Sequence, residues 1–474
     1  LVEQDGPHRT EVVWDESARR FVTHAVAGQT NEQRVRGVVG DLGVFLRHSF
    51  IPDDVSPDYH SFTVWRLLQR FIAATVNVFG TKALLLALGI KSRRLGEAAA
   101  VSWVLKDALG KFGRILWASR MGRRFDSDAK RWRFRSSLLY ATGNGLEIFT
   151  YIFPASFLVL ATAANSLKQM SMLTSSATRN TIYKSFARGE NIGDITAKGE
   201  AQIAVVDLLG ILSGIGLSHL VGSSPLSIGL AYLFLSTADI FAIYREIRSV
   251  VFSLLNQERS YLLASDFVAA ESSAAVMEAR EGPGGGMGVG MGTRRHHPPL
   301  PLSSPASIAR REHIFLPASL RSSVFCTWTQ AGLTLAQVQD LLPLFRDERY
   351  MLALTRGRGP RVILHRRASG QDILKALLAL AYLHRGLEER GRGGAWPGAG
   401  EGGSQRKEAA VATMAAAAAA AKAVPWPEAR ERIAWAQKQA DECLEDFLGA
   451  LGRLGWSTDK FVFGNIKRKV EWPL

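Results

Sequence analysis

IAVVDLLGILSGIGLSHLVG, residues 203–222, and LSIGLAYLFLSTADIFAIY, residues 226–244, are two apolar runs that meet at the break GSSP. Each is long enough to cross a bilayer core, which takes roughly 20 helical residues at about 1.5 Å per residue. Joined so closely, they predict an antiparallel helical hairpin. Gly210, Gly214 and Ser218 recur every four residues, the small-xxx-small spacing that lets helix backbones approach closely in a membrane. Asp207 and Asp239 are lone acids in this apolar setting. Inside a membrane such residues are functional-site candidates by default; in a soluble bundle they are helix-end or hydrogen-bonded core residues.

Working outward, FIAATVNVFGTKALLLALGI at 71–90 is also long enough to span, but Lys82 sits at its middle. A lysine there costs about 3 kcal/mol on insertion scales, so neighbouring helices must shelter it if the segment is inserted. The stretch 138–165 has Glu147 near its start, Pro154 where a kink is expected, and no charge from Ile148 to Ala164. The predicted fold is mainly α: a membrane-associated helical bundle with candidate spans at 71–90, 147–165, 203–222 and 226–244, then a small C-terminal α+β module. A soluble helical scaffold whose small-residue helices pack among themselves is the alternative.

Between the first two runs lies VSWVLKDALGKFGRILWASRMGRRFDSDAKRWRFR, 101–135. Val101, Leu105, Ala108, Leu109, Phe112 and Leu116 follow helical spacing and predict one apolar face, with Asp107, Lys111 and Arg114 opposite. Gly110 and Gly113 each cost about 1 kcal/mol in a helix interior, which points to a close helix crossing. Beyond Trp117 the stretch reads as a solvated basic turn, with Asp126 and Asp128 able to pair locally with Lys130, Arg131 and Arg133. Residues 91–135 hold 13 Lys or Arg against 4 Asp or Glu, a block suited to anionic partners, of which lipid headgroups are the first choice. Nucleic acid is the less favoured reading of the same charge.

WVLKDALGKFGRILWASRMGRRFDSDAKRWRF resembles the signature of the root UVB sensitive family. SATRNTIYKSFARGENIGDITAKGEAQ at 176–202 and HSFIPDDVSPDYHSFTVWRLLQ at 48–69 match further family motifs, and GRLGWSTDKFVF at 452–463 resembles its C-terminal part. The resemblance implies a process in plants: light and UV-B responses of seedlings, vitamin B6 homeostasis and auxin transport, with a plastid location. It implies no enzymatic activity. The positions that match the family pattern, with no role assigned, are Lys106, Asp107, Gly110, Asp126, Lys130, Trp132, Arg179, Lys198, Gly199 and Glu200.

The 474 residues suffice for two or three domains, and the net charge is +15. Only Cys326 and Cys443 occur, which excludes a disulfide framework and a cysteine zinc site. His48 and His60 lack carboxylates at ligand spacing, so no metal site is expected, and no cofactor is evident. No P-loop, G-x-S-x-G, H-E-x-x-H or dinucleotide fingerprint stands in context, so a non-enzymatic protein is expected. The chain opens at Leu1 rather than Met, and a targeting segment is not to be read from it.

Segment by segment, 1–35 reads as a polar lead with VVWDE at 12–16 a short edge strand, and helices are expected near 34–48 and 61–69. The helical domain is placed at 36–268 and a Gly-, Pro- and Ser-rich disordered linker at 269–310. The module comprises 311–389 and 425–474, interrupted by a low-complexity insert at 390–424. Its expected elements are a strand at 313–317, a hairpin around TRGRGP, a helix capped by Ser369 and a terminal strand at 461–466. A protein partner, another family member being the candidate, is expected to dock there. The rival within the membrane class is a transporter or carrier using Lys82, Asp207 and Asp239.

Overall fold

The computed structural model describes residues 2–5, 8–15, 20–23, 47, 49–91, 96–121, 125, 127–281, 302–315, 324–355, 359–391, 424–463, 466 and 469–472. It is mainly helical. At the start, β1 (Val2–Asp5), β2 (His8–Asp15) and β3 (Arg20–Thr23) form an antiparallel meander in that order. The VVWD segment expected at an edge therefore runs in the central strand. The helix expected at 34–48 falls almost wholly outside the described residues.

Helix α1 (Asp58–Lys91) is the axis of the bundle. The helix expected at 61–69 and the apolar run after it form this one element, because no breaker separates them. Ser56 Oγ donates to Asp58 Oδ1 at 2.5 Å, and Asp58 Oδ2 accepts from the Val251 amide at 2.8 Å, which fixes the start of the helix. Next come α2 (Gly96–Met121), α3 (Ala129–Ile152), α4 (Phe157–Phe186), α5 (Ile192–Val221) and α6 (Pro225–Ser249). α1 packs along α3, α5 and α6, while α2 lies outermost against α4.

Two expectations need correction. The candidate span 147–165 is two helices: Pro154 opens a 3-10 turn at Pro154–Ser156 between α3 and α4. Proline lacks an amide hydrogen and clashes with the preceding turn, so the break replaces a kink. The helices long and apolar enough to cross a membrane, among the described residues, are Asp58–Gly89, Ile192–Val221 and Pro225–Ser249. Second, α5 and α6 scarcely touch each other. The small residues of α5 face α1 instead: a Cβ on Gly210 would sit 2.6 Å from the Phe71 carbonyl oxygen, and one on Gly214 would sit 2.8 Å from Val78 Cγ2. The apolar face that the spacing predicts on α2 points outward, with Val101, Leu105, Leu109, Phe112 and Leu116 all exposed. The buried side is the glycine side, where a Cβ on Gly110 would overlap the Asn165 amide and one on Gly113 would lie 3.2 Å from Ser166 Cβ. The close crossing predicted from the two glycines is present, and it decides which face is inside.

After α6, β4 (Leu254–Leu255) leads into α7 (Gln257–Glu281), so AAESSAAVMEARE at 269–281 is helix rather than linker. α8 (Pro305–Arg311), α9 (Trp328–Ala331) and α10 (Leu335–Leu341) follow. β5 (Tyr350–Thr355) and β6 (Gly359–Leu364) form the antiparallel hairpin expected around TRGRGP. α11 (Gly370–Gly391) starts at Ser369, whose Oγ accepts from the Asp372 amide at 3.3 Å. α12 (Trp426–Arg453) and β7 (Ser457–Phe461) close the chain, and β7 pairs in parallel with β4. The terminal strand thus ends where 461–466 was expected to begin.

α7, β5, β6, α11 and α12 share one continuous apolar core that includes Phe267, Tyr350, Leu377 and Phe447. Among the described residues the bundle has no such single core. Its buried apolar residues fall into small separate clusters. Polar side chains occupy the space between them.

Candidate functional site

The polar interior of the bundle is built mostly from α1. Consecutive residues Gln69 and Arg70 take the two lone acids: Gln69 Nε2 donates to Asp239 Oδ1 at 2.7 Å, and Arg70 Nε donates to Asp207 Oδ1 at 3.0 Å. A second Arg70 nitrogen reaches the other Asp207 oxygen, making a two-point ion pair. α1 is thereby tied to both apolar helices at one level. Three turns on, Lys82 Nζ donates to the carbonyls of Ser218 at 2.8 Å and Gly222 at 2.7 Å. A cation at the last carbonyls of α5 satisfies acceptors that the helix itself leaves open. This is how the lysine within an apolar run is sheltered.

A second layer joins α1, α3 and α4. Lys168 Nζ pairs with Glu147 Oε2 at 2.5 Å and donates to Asn77 Oδ1 at 3.1 Å. Gly80 makes room for it, since a Cβ there would overlap the Glu147 carboxylate. Asn77 also lines an open groove of about 540 Å³ between α1 and α5, together with Val78, Lys82, Leu86, Ile211 and Ile215. A third layer lies near the α3 start: Arg133 donates to Ser175 Oγ at 2.6 Å and meets Glu246 Oε1 at 3.4 Å. Arg66 lies beside it over the rings of Phe62 and Tyr183.

The basic family signature does not form a solvated turn. Lys130, Arg131 and Arg133 are buried. Lys130 Nζ bonds Glu312 Oε2 at 2.6 Å, and Arg259 Nε bonds the other Glu312 oxygen at 2.5 Å. Arg131 donates to Asp128 Oδ1 and to the His313 carbonyl, each at 2.8 Å, and pairs with Glu258. Burial alone would push the Glu312 carboxyl up, but the charges of Arg259 and Lys130 outweigh it and hold it at about 2. The headgroup reading therefore loses these residues. Of the block's cations, Lys111, Arg114, Arg120 and Arg135 are exposed among the described residues. Residues 313–315 are not a strand: Ile314 packs with Phe134, Ile243 and Ile247, and the Phe315 ring lies 4.5 Å from Phe134. Acids from beyond the bundle thus neutralise the signature and tie the two parts together.

The family-motif positions go to separate places. Lys106 pairs with Asp107 at 2.9 Å and lies over Trp103, beside the Gly110 crossing. Trp132 packs edge-on against Trp117 and Phe125. Arg179 binds Glu200 at 2.5 Å, and Lys198 pairs with Asp194 at 3.1 Å and donates to the Ile51 carbonyl at 3.2 Å. Gly199 leaves room for the Tyr183 hydroxyl, which would lie 2.6 Å from a Cβ there. Asp126 and His48 lie outside the described residues, and His60 is exposed. No group of three His, Cys, Asp or Glu able to hold a metal occurs among the described residues. Sequence reading missed Arg66, Gln69, Arg70, Asn77, Glu246 and Glu312. The signal for Gln69 and Arg70 is their polarity one residue before an apolar run.

A bundle tied by internal ion pairs around a central apolar helix, with a module attached that has its own core, defines a helical protein organised around α1. Residues 33–271, from ahead of α1 to the middle of α7, match the model of the vitamin B6 photo-protection and homoeostasis domain. The chain belongs to this family, that of the root UVB sensitive proteins. It is 36% identical over 271 residues to Protein root UVB sensitive 6 of Arabidopsis thaliana, covering 56% of this chain and 53% of that protein. It is 29% identical over 338 residues to Protein root UVB sensitive 2, chloroplastic, of the same plant, covering 70% of each. With RUS family member 1 of Dictyostelium discoideum the identity is 27% over 229 residues, 48% of this chain and 43% of that protein. The match spans little more than half of the first of these relatives. No solved structure matches.

Proposed function

We propose that this chain is a non-enzymatic protein held in a membrane by α1, α5 and α6, acting in vitamin B6 homoeostasis and in light- or UV-B-responsive seedling development. The observation that carries the membrane reading is the exposure of the most apolar helices. The windows in α5 and α6 have a mean hydropathy of 1.8 yet are only 22% and 28% buried. Leu212, at 58% exposure, and Leu233, at 61%, are typical of their outward faces. Water would penalise such surface at about 25 cal/mol per Å², whereas hydrocarbon would not. This weighs against the soluble scaffold. The chloroplastic relative supports a plastid membrane. The module, with its own core, suits docking of a protein partner, another family member being the candidate.

A carrier is the second reading, favoured by the groove between α1 and α5 that Asn77 lines, the residue to which Lys168 donates. Against it, Asp207 and Asp239 are already engaged by Arg70 and Gln69, which suits bracing more than transport. Alkaline carbonate extraction of the full chain from native membranes, followed by protease protection, tests the leading reading. Retention in the pellet with protected fragments covering 192–249 is the expected result, and release of intact chain to the supernatant would overturn it.

A further inference from the structure

The groove between α1 and α5 joins apolar walls to polar groups with bonding capacity left over. At about 540 Å³ it falls within the roughly 300–1,000 Å³ of small-molecule pockets. Val78, Ile211 and Ile215 line it, and where α5 runs out stand Lys82 and Ser218. Lys82 Nζ has three N–H groups and uses two of them on the Ser218 and Gly222 carbonyls, so one donor is left. No carboxylate pairs with it among the described residues. Lys168, by contrast, is matched by Glu147. The hydroxyl of Ser218, the residue whose carbonyl Lys82 holds, makes no hydrogen bond among the described residues either. Closing the end of α5 accounts for the two carbonyl bonds of Lys82. It does not account for the unmatched charge, or for the apolar trough that opens beside it.

We propose that this groove binds a fatty acid, its carboxylate at Lys82 and the Ser218 hydroxyl and its chain along Val78, Ile215 and Ile211. The head must bring acceptor oxygens and negative charge, because the groups that meet it are an ammonium and a hydroxyl, both able to donate. The body must be apolar, because the walls are, and covering them removes surface from water at about 25 cal/mol per Å². Ile211 and Ile215 are 44% and 46% exposed, so the walls are open to an occupant. From Ser218 back to Ile211 is about 10 Å of helix, a continuous apolar track for an extended chain beside the head. The proposal gives the carrier reading a chemical class of cargo. It does not rest on membrane insertion, since a fatty acid reaches the groove from a bilayer or from water.

The full chain in phosphatidylcholine nanodiscs is irradiated with a palmitate that carries a diazirine in mid-chain, and the labelled peptides are mapped by mass spectrometry. Saturable labelling of the peptides holding 77–86 and 211–218 is expected. Excess palmitate should displace it, and palmitate methyl ester should do so about tenfold less well, because the ester lacks the charge-assisted bond to Lys82. Lys82→Met should weaken labelling by about the same factor. If Lys82→Met fails to fold, the ester comparison and Ile215→Trp carry the test. The tryptophan fills the groove from an already exposed position, so labelling should vanish with the melting temperature unchanged. The proposal is overturned by labelling that never saturates, that spreads over the exposed faces of α5 and α6, that acid and ester displace equally, or that Ile215→Trp retains; contact with bulk lipid only would then be the account. Release of the chain by carbonate would remove the membrane reading alone, and the same labelling in buffer without lipid then tests the groove.

Discussion

Gln69 and Arg70 convert two isolated acids into cross-links from one helix to two others. Asp207 faces Arg70 through both carboxylate oxygens, so removing the guanidinium leaves a half-buried anion against apolar surroundings. Arg70→Leu is expected to lower unfolding stability in detergent by about 2 kcal/mol, discounted for partial exposure, with Arg70→Leu/Asp207→Leu recovering part of the loss. Thermal melts of the two single variants and the double variant measure this coupling. Glu312 makes a second prediction. Its carboxyl titrates at about 2 in the fold against an ordinary 4.5, so its contribution is complete above about pH 4.5 and is lost as pH falls through 2. That contribution is up to about 3 kcal/mol, and Glu312→Gln should flatten the acid limb of the stability curve by that amount. A stability–pH curve of both proteins by chemical denaturation checks it. Asp207, Asp239 and Lys82 were legible as anomalies in apolar runs. Their partners were not, because Arg70, Gln69 and the α5 carbonyls are more than 130 residues away in the chain.

Among the elements, glycine decides orientation more than hydrophobicity does. The sequence pattern of α2 marks an apolar stripe and a glycine pair, and the inside is the face of Gly110 and Gly113, where helices meet. A stripe marks the apolar surroundings of a helix, and on the membrane reading proposed above those surroundings would be hydrocarbon outside the bundle. Periodicity alone therefore does not say which face is inside when the solvent is not water. The same logic applies to α5, whose Gly210 and Gly214 were read correctly as a contact surface but given the wrong neighbour. The short α5–α6 connection suggested a packed pair, whereas α1 offers grooves at Phe71 and Val78 that receive both glycines. Gly214→Val should push α5 off α1 and cost about 1–3 kcal/mol, seen as a lower melting temperature with unchanged helix content. Gly216→Val is the control, since nothing lies within 4 Å of that position.

Across the whole molecule, two kinds of surface meet at one buried knot of charge. The module carries a continuous core, and the bundle carries small apolar clusters, internal ion pairs and exposed leucines. Glu258 and Glu312 neutralise Lys130, Arg131 and Arg259, so this end of the family signature is a joint, while Lys111, Arg114, Arg120 and Arg135 stay exposed. That assignment was out of reach of the sequence, where the basic block carries no mark of acids 127 and 182 residues further on. The helical class and three of the four long apolar helices were legible because composition and length suffice for them, whereas 147–165 is divided at Pro154. Spin labels at Leu212 and Phe234, with Lys438 on α12 as the control, test the central claim most directly when the two native cysteines are replaced and the chain is reconstituted in nanodiscs. The account predicts that oxygen relaxes the labels at Leu212 and Phe234 more than a water-soluble nickel chelate does, with the reverse at Lys438. Equal access of the nickel chelate to all three positions would contradict it.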